Sequence, residues 1–152
     1  MLTRLHIRDF ALIEEVEIEF GPGLNAITGE TGAGKSILIG ALNSILGGPS
    51  SAELVRDGAD KCSVEGFFEF ADEQLRRLAA LDVPLADDQL ILRREIQAGG
   101  RSRAFVNGQG QPVKRLKQIG AALVDLHGQH EHQSLLDPAT HIRFLDAYGS
   151  LD

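Results

Sequence analysis

Apolar and polar residues alternate along the first twenty positions. Leu2, Leu5 and Ile7 are followed by Leu12, Val16, Ile18 and Phe20. A period of two marks half-buried strands, so this stretch predicts two short strands joined near residues 9–11. Glu14, Glu15, Glu17 and Glu19 then mark a solvated side. Gly21-Pro22-Gly23 predicts a turn. Leu24 to Thr28 is short and mostly apolar, the pattern of a buried strand. A glycine-rich loop spans Gly29 to Gly34, and from Lys35 the period changes. Ile37, Leu38, Ala41, Leu42 and Ile45 share one face of a helix, which Gly47-Gly48-Pro49 stops.

Residues 50–62 are polar and predict a loop, and Val64 to Phe70 predicts a strand. Asp72 is placed to cap a short helix running to Leu81. Residues 90–96 and 102–106 flank Gly99-Gly100 and predict a hairpin, with a second turn at Asn107-Gly108. Pro112 opens a helix to about Ala121. Ala122 to Leu126 predicts a buried strand, a polar loop rich in His and Gln follows, and Asp137-Pro138 starts a last helix ending near Tyr148. Strand–loop–helix units imply a mainly parallel α/β core, while the hairpins imply an antiparallel β-subdomain beside it.

Composition narrows the class. The 152 residues are 43% apolar and 24% charged, which fits one globular domain. A net charge of −7 excludes a uniformly basic coat for nucleic acid. The single cysteine, Cys62, has no internal disulfide partner, which fits a reducing, cytoplasmic setting, and it predicts a small buried hydrophobe. Arg4, Arg8 and Asp9 interrupt the first residues, so no secretory signal is expected, and no apolar run reaches membrane-spanning length.

The glycines are where chemistry enters. Gly29-Glu30-Thr31-Gly32-Ala33-Gly34-Lys35-Ser36 matches G-x-x-x-x-G-K-[ST] in full, between an apolar run and an apolar-faced helix. Main-chain N–H groups of such a loop converge into an anion nest, and the helix adds its positive pole. Glycine permits the close approach that a Cβ blocks. Lys35 then supplies a point charge to the β- and γ-phosphates and to the charge that develops in phosphoryl transfer. The Ser36 hydroxyl is a ligand for Mg²⁺, which needs few protein oxygens. The expected ligands are a nucleoside triphosphate, which the resemblance below makes ATP, and Mg²⁺; the bland reading is a glycine-rich turn with an incidental lysine.

Two further features stay open on the residues alone. Ala122-Leu123-Val124-Asp125 reads either as the acid-tipped strand that holds a metal in a self-contained NTPase or as an ordinary strand end. His127, His130, His132 and His141 read as a zinc site or, with no cysteine and no helical i,i+4 pair, as a polar loop.

ITGETGAGKS, with LHIRDFALIEEVEIEF before it and LHGQHEHQSLL after it, resembles the ATPase heads of the SMC-like (structural maintenance of chromosomes) family, whose heads are of ABC-ATPase type. The resemblance covers Leu2 to Tyr148, and the His-Gly-Gln-His-Glu-His-Gln stretch is its more specific part. It implies a P-loop NTPase fold, here the N-terminal lobe of a split head. A coiled coil and a C-terminal lobe carrying the signature and the Asp-Glu pair would lie beyond Asp152. No Ser-Gly-Gly-Glu or Ser-Gly-Gly-Gln occurs in these residues. The resemblance makes Gln129 the Q-loop glutamine and second Mg²⁺ ligand, which favours the strand-end reading of Asp125. Arg56 is then either an arginine acting across a head dimer or a solvated surface residue, and Phe10 packs in the core or near the adenine. The implied function is ATP-driven head engagement and DNA interaction in double-strand-break repair and recombination, in the nucleoid. Implied partners are DNA, a second copy of the head with ATP sandwiched between, and the chain's own C-terminal lobe. The full protein is expected to hydrolyse ATP and these residues alone are not.

Charge distribution adds one expectation of its own. Arg93, Arg94, Arg101, Arg103, Lys114, Arg115 and Lys117 stand against Glu95 alone, so this stretch carries +6 while the rest carries −13. A local cationic segment in an acidic chain is the footprint of phosphate-backbone contact, or else a solvated hairpin and helix. Arg101 and Arg103 share a strand face, whereas Arg93 and Arg94 cannot. The rival functions are a self-contained P-loop nucleotide kinase or GTPase, though no guanine-reading Asn-Lys-x-Asp is present, and a nucleotide-gated interaction module without hydrolysis.

Overall fold

The computed structural model describes residues 1–29, 32–70, 76, 78–83, 85 and 87–124. Strands β1 (Leu2–Phe10), β2 (Ile13–Glu19), β3 (Lys61–Glu69), β4 (Gln89–Gln97), β5 (Ser102–Val106) and β6 (Gln109–Gln111) form one sheet in the order β2-β1-β3-β4-β5-β6. Every pairing among them is antiparallel. Helix α1 (Gly32–Ile45) packs on β1, β3 and β4, and helix α2 (Val113–Leu123) packs on β5.

Strand alternation decides which face carries the core. Leu5 and Ile7 of β1, Val64 and Phe68 of β3, Leu90, Leu92 and Ile96 of β4 and Val106 of β5 are buried against the helices. Ala41 and Ile45 of α1 and Leu116 and Ile119 of α2 close the layer. Each fully buried Leu, Ile or Phe contributes roughly 1.5–3 kcal/mol. Close approach is set by glycine. A Cβ on Gly66 would lie 2.5 Å from Ile45 Cδ1, and one on Gly120 would lie 2.9 Å from the Leu46 carbonyl oxygen. Gly47 has φ +86° and its absent Cβ would fall 2.5 Å from the Lys117 backbone nitrogen. It ends α1 in the left-handed conformation that glycine adopts freely, with Gly48 N–H donating to the Asn43 carbonyl at 2.8 Å.

The opposite sheet face is laced with charge. Arg4, His6 and Arg8 stand across from Glu19, Glu17 and Glu15. Arg8 Nη2 and His6 Nε2 both reach Glu15 Oε1, at 2.8 and 2.9 Å, and hold that carboxyl below the usual carboxylate range. Arg4 lies 3.9 Å above the Phe67 ring and Arg93 4.3 Å above Phe105, so two cations cover aromatic surface.

Most expected elements are present. The first hairpin, the 90–106 hairpin, the Gly47 stop and the helix after Pro112 form as read. Cys62 and Phe10 are core residues, and burial pushes the Cys62 thiol up. Three readings are corrected. Residues 24–28 form no strand, and Leu24 is 97% exposed, because no described strand lies beside them to pair with. The helix begins at Gly32 rather than Lys35, so the motif's last glycines form its first turn. Ala122 and Leu123 are the end of α2, capped by the Val124 N–H on the Gly120 carbonyl, rather than the start of a strand. The loop at 50–62 contains a 3-10 turn, Ala52–Leu54, and yields to β3 at Lys61. Of the helix expected to end at Leu81, residues 76 and 78–80 are helical. The helix expected from Asp137 lies outside the described residues.

Candidate functional site

The site is built on the start of α1. Its first turn holds no acidic residue, so nothing there offsets the positive pole of a helix dipole. The first N–H groups of a helix have no intrahelical acceptor and point outward along the axis. Gly34, Lys35 and Ser36 of this turn are exposed. A Cβ added to Gly29 or Gly34 would meet no atom of the described residues within 4 Å. These residues fit a polyphosphate and a hard cation: unpaired amides, one ammonium, one hydroxyl and free volume. Gly32 and Ala33 belong to the same turn; Glu30, Thr31 and Gln129 lie outside the described residues, as do Asp125 and the four clustered histidines. Among the described residues no group of three metal-binding side chains is present.

The far end of α1 holds a residue that charge counting misassigned. Arg94, offered above as a DNA contact, is 3% exposed and faces the core. Its Nη1 donates to the carbonyls of Ser44 and Gly48, each at 3.2 Å, and its Nε donates to Ser102 Oγ at 3.1 Å. Burial alone pulls its pKa down. The sequence held the signal: alternation puts Arg94 on the same face as Leu90, Leu92 and Ile96. Arg115 is half-buried and donates to the carbonyls of Leu81 and Asp82, closing the end of the helical residues 78–80. Arg93 lies over Phe105 and 3.7 Å from Glu95. Arg101, Arg103, Lys114 and Lys117 stay exposed.

Arg56 sits beside the first hairpin. Its N–H donates to the Asp9 carbonyl at 2.8 Å, while its side chain lies 3.7 Å from Glu14. It lines a groove of about 800 Å³ together with Arg8, Asp57, Lys61 and Gly99. Phe10, next to Asp9, bridges to Val55 and lies 3.9 Å from where a Gly40 Cβ would be, so the groove and α1 rest on one core residue.

No helix among the described residues is long and apolar enough to cross a membrane. Residues 4–131 match the AAA domain family. DNA repair protein RecN of Halalkalibacterium halodurans is 43% identical over 151 residues, covering 98% of this chain and 27% of that protein. RecN of Bacillus subtilis is 40% identical over 154 residues, covering 100% and 27%. The chain thus spans about a quarter of the length of these relatives. A structure from work on ATP-driven dimerization and DNA-stimulated activation of SMC ATPases superposes with TM-score 0.67 at 21% identity, covering 97% of this chain and 98% of that one. The Smc head domain of Pyrococcus furiosus, with an extended coiled coil and bound to the C-terminal domain of ScpA, superposes with TM-score 0.67 at 26% identity, covering 80% and 32%. The recombination mediator RecF gives TM-score 0.60 at 20% identity, covering 99% and 39%. The fold is therefore that of the N-terminal lobe of a P-loop ATPase head.

Proposed function

Because the chain belongs to the AAA domain family and matches the N-terminal part of RecN proteins, we propose that it is the ATP-binding half of an SMC-like ATPase head acting in DNA double-strand-break repair and recombination. One observation carries the reading: the first turn of α1 offers helix N-terminal amides, Lys35 and Ser36, and carries no acid of its own.

Lys35 and the loop amides of residues 29–36 hold the phosphate tail, and Ser36 with Gln129 completes the protein share of the Mg²⁺ shell. When bound, Mg²⁺·ATP brings the phosphoanhydride bond whose cleavage powers the head. This lobe neutralises charge on the phosphates. Orienting the attacking water belongs to groups in the C-terminal lobe and in a second head, so residues 1–152 alone bind nucleotide weakly and do not turn it over. Leu24, Ile27 and Ile39 are exposed around the phosphate loop, and they support the chain's own C-terminal lobe as the neighbour of this surface. DNA contact, narrowed by the burial of Arg94 and the engagement of Arg115 with the Leu81 and Asp82 carbonyls, falls to Arg101, Arg103, Lys114 and Lys117, with Arg93 at the margin.

The test uses the full-length protein and a fluorescent ATP analogue with Mg²⁺. Binding that Lys35→Ala abolishes is expected; unchanged binding refutes the site. Turnover by residues 1–152 that depends on Lys35 refutes the half-site reading. Charge reversal at Arg101 and Arg103 is expected to weaken DNA binding, the more so at low salt, and to leave nucleotide affinity intact. Unchanged DNA affinity removes this segment from the interface.

A further inference from the structure

We propose that Arg94 is a positioning residue that ties the phosphate-loop helix to the β4–β5 hairpin, so that nucleotide held at one end of α1 is felt at strand β5. The inference rests on the nucleotide-binding reading above and extends it to a residue that touches no nucleotide.

Arg94 is a buried cation, and no carboxylate among the described residues shares its site. Such a charge is costly unless the surroundings supply compensating dipoles. Here the dipoles come from one place. Ser44 belongs to the last turn of α1, so its carbonyl is part of the negative pole of that helix, and the Gly48 carbonyl follows three residues past the helix end. The guanidinium therefore balances α1 from behind, while an anion at Lys35 would balance it from in front. A helix with a cation fixed at its C-terminal end is restrained in translation and rotation, and its N-terminal amides are aimed accordingly.

The third donor makes the link. Nε of the same planar group donates to Ser102 Oγ, the first residue of β5. Arg101 and Arg103, both exposed, flank Ser102. One rigid fork thus holds the carbonyl end of the phosphate-loop helix and the strand that carries the two exposed arginines. A shift of α1 changes Ser102 geometry through a single side chain. Packing reinforces the connection, because Ile45 of α1 is locked over Gly66 of β3, the strand next to β4.

The experiment compares full-length wild type with Arg94→Met, Arg94→Lys and Ser102→Ala. Methionine keeps bulk without charge; lysine keeps charge without the fork. Affinity for the fluorescent ATP analogue is read beside amide hydrogen exchange across residues 101–106 with and without nucleotide. In wild type, nucleotide is expected to slow exchange in this segment. Arg94→Met is expected to raise Kd roughly tenfold and to abolish the slowing. Arg94→Lys recovers affinity in part, and Ser102→Ala keeps affinity while losing the slowing. If methionine matches wild type in both readouts, Arg94 fills space only and the proposal falls, while the nucleotide site stands. If Arg94→Met does not fold, Ser102→Ala decides: slowing equal to wild type overturns the link. If wild type itself binds no analogue, the nucleotide reading fails first and this proposal with it.

Discussion

At its N-terminal end α1 exposes Gly34, Lys35 and Ser36, and among the described residues no side chain lies within 4 Å of a Cβ placed on Gly29 or Gly34. At its C-terminal end the same helix is enclosed: Ile45 sits over Gly66, Gly47 abuts the backbone of α2, and Arg94 grips the last carbonyls. The two ends differ in what substitution costs. The open end can take a ligand because its side chains are exposed. The closed end depends on glycine and one guanidinium because its backbones nearly touch. Binding precision at the open end is obtained from rigidity at the closed end.

The contrast breaks most directly at Lys35. In the full-length protein Lys35→Ala is expected to lower ATP turnover by about 10²–10³-fold. Its effect on stability is expected within about 0.5 kcal/mol, since the side chain is exposed. A collapse of the unfolding midpoint would mean that the open end supports the fold after all. Gly47→Ala is the mirror case. Its Cβ would collide with Lys117 backbone atoms at a φ of +86°, so urea unfolding is expected to show a loss of about 2–4 kcal/mol. A wild-type midpoint would show that α1 and α2 part easily. Ser44→Ala sharpens the comparison at the small end. The Ser44 hydroxyl is buried with no hydrogen-bond partner among the described residues, while its carbonyl serves Arg94. Removing the hydroxyl is expected to be neutral or stabilising by up to about 1 kcal/mol in thermal unfolding. A clear loss would reveal a partner for that oxygen.

The open end was legible in the sequence because its chemistry is local: eight consecutive residues carry the whole motif, and strands of period two announce the hairpins around it. The closed end was not, because it is made by contacts between distant segments. Gly66 and Gly120 look like ordinary glycines until Ile45 and Leu46 are laid across them. Arg94 was counted with its basic neighbours, although alternation with Leu92 and Ile96 placed it inward; charge outweighed register in that reading. Leu24 to Thr28 was read as a buried strand on its apolar run alone, yet a strand exists only with a neighbour, and apolarity does not name one. Residue 109 onward shows the same limit: three residues of β6 are too few to carry a periodic pattern, and the Asn107-Gly108 turn was the only trace of them.

Among the described residues strand β2 is an edge strand of the sheet, paired on one side only. Its sequence, with Glu14, Glu15, Glu17 and Glu19 in a run of seven residues, makes that edge a poor template for another chain. Two such borders brought together would stack carboxylate on carboxylate along their length. Growth of sheet upon sheet along this border is thereby disfavoured by the strand's own side chains.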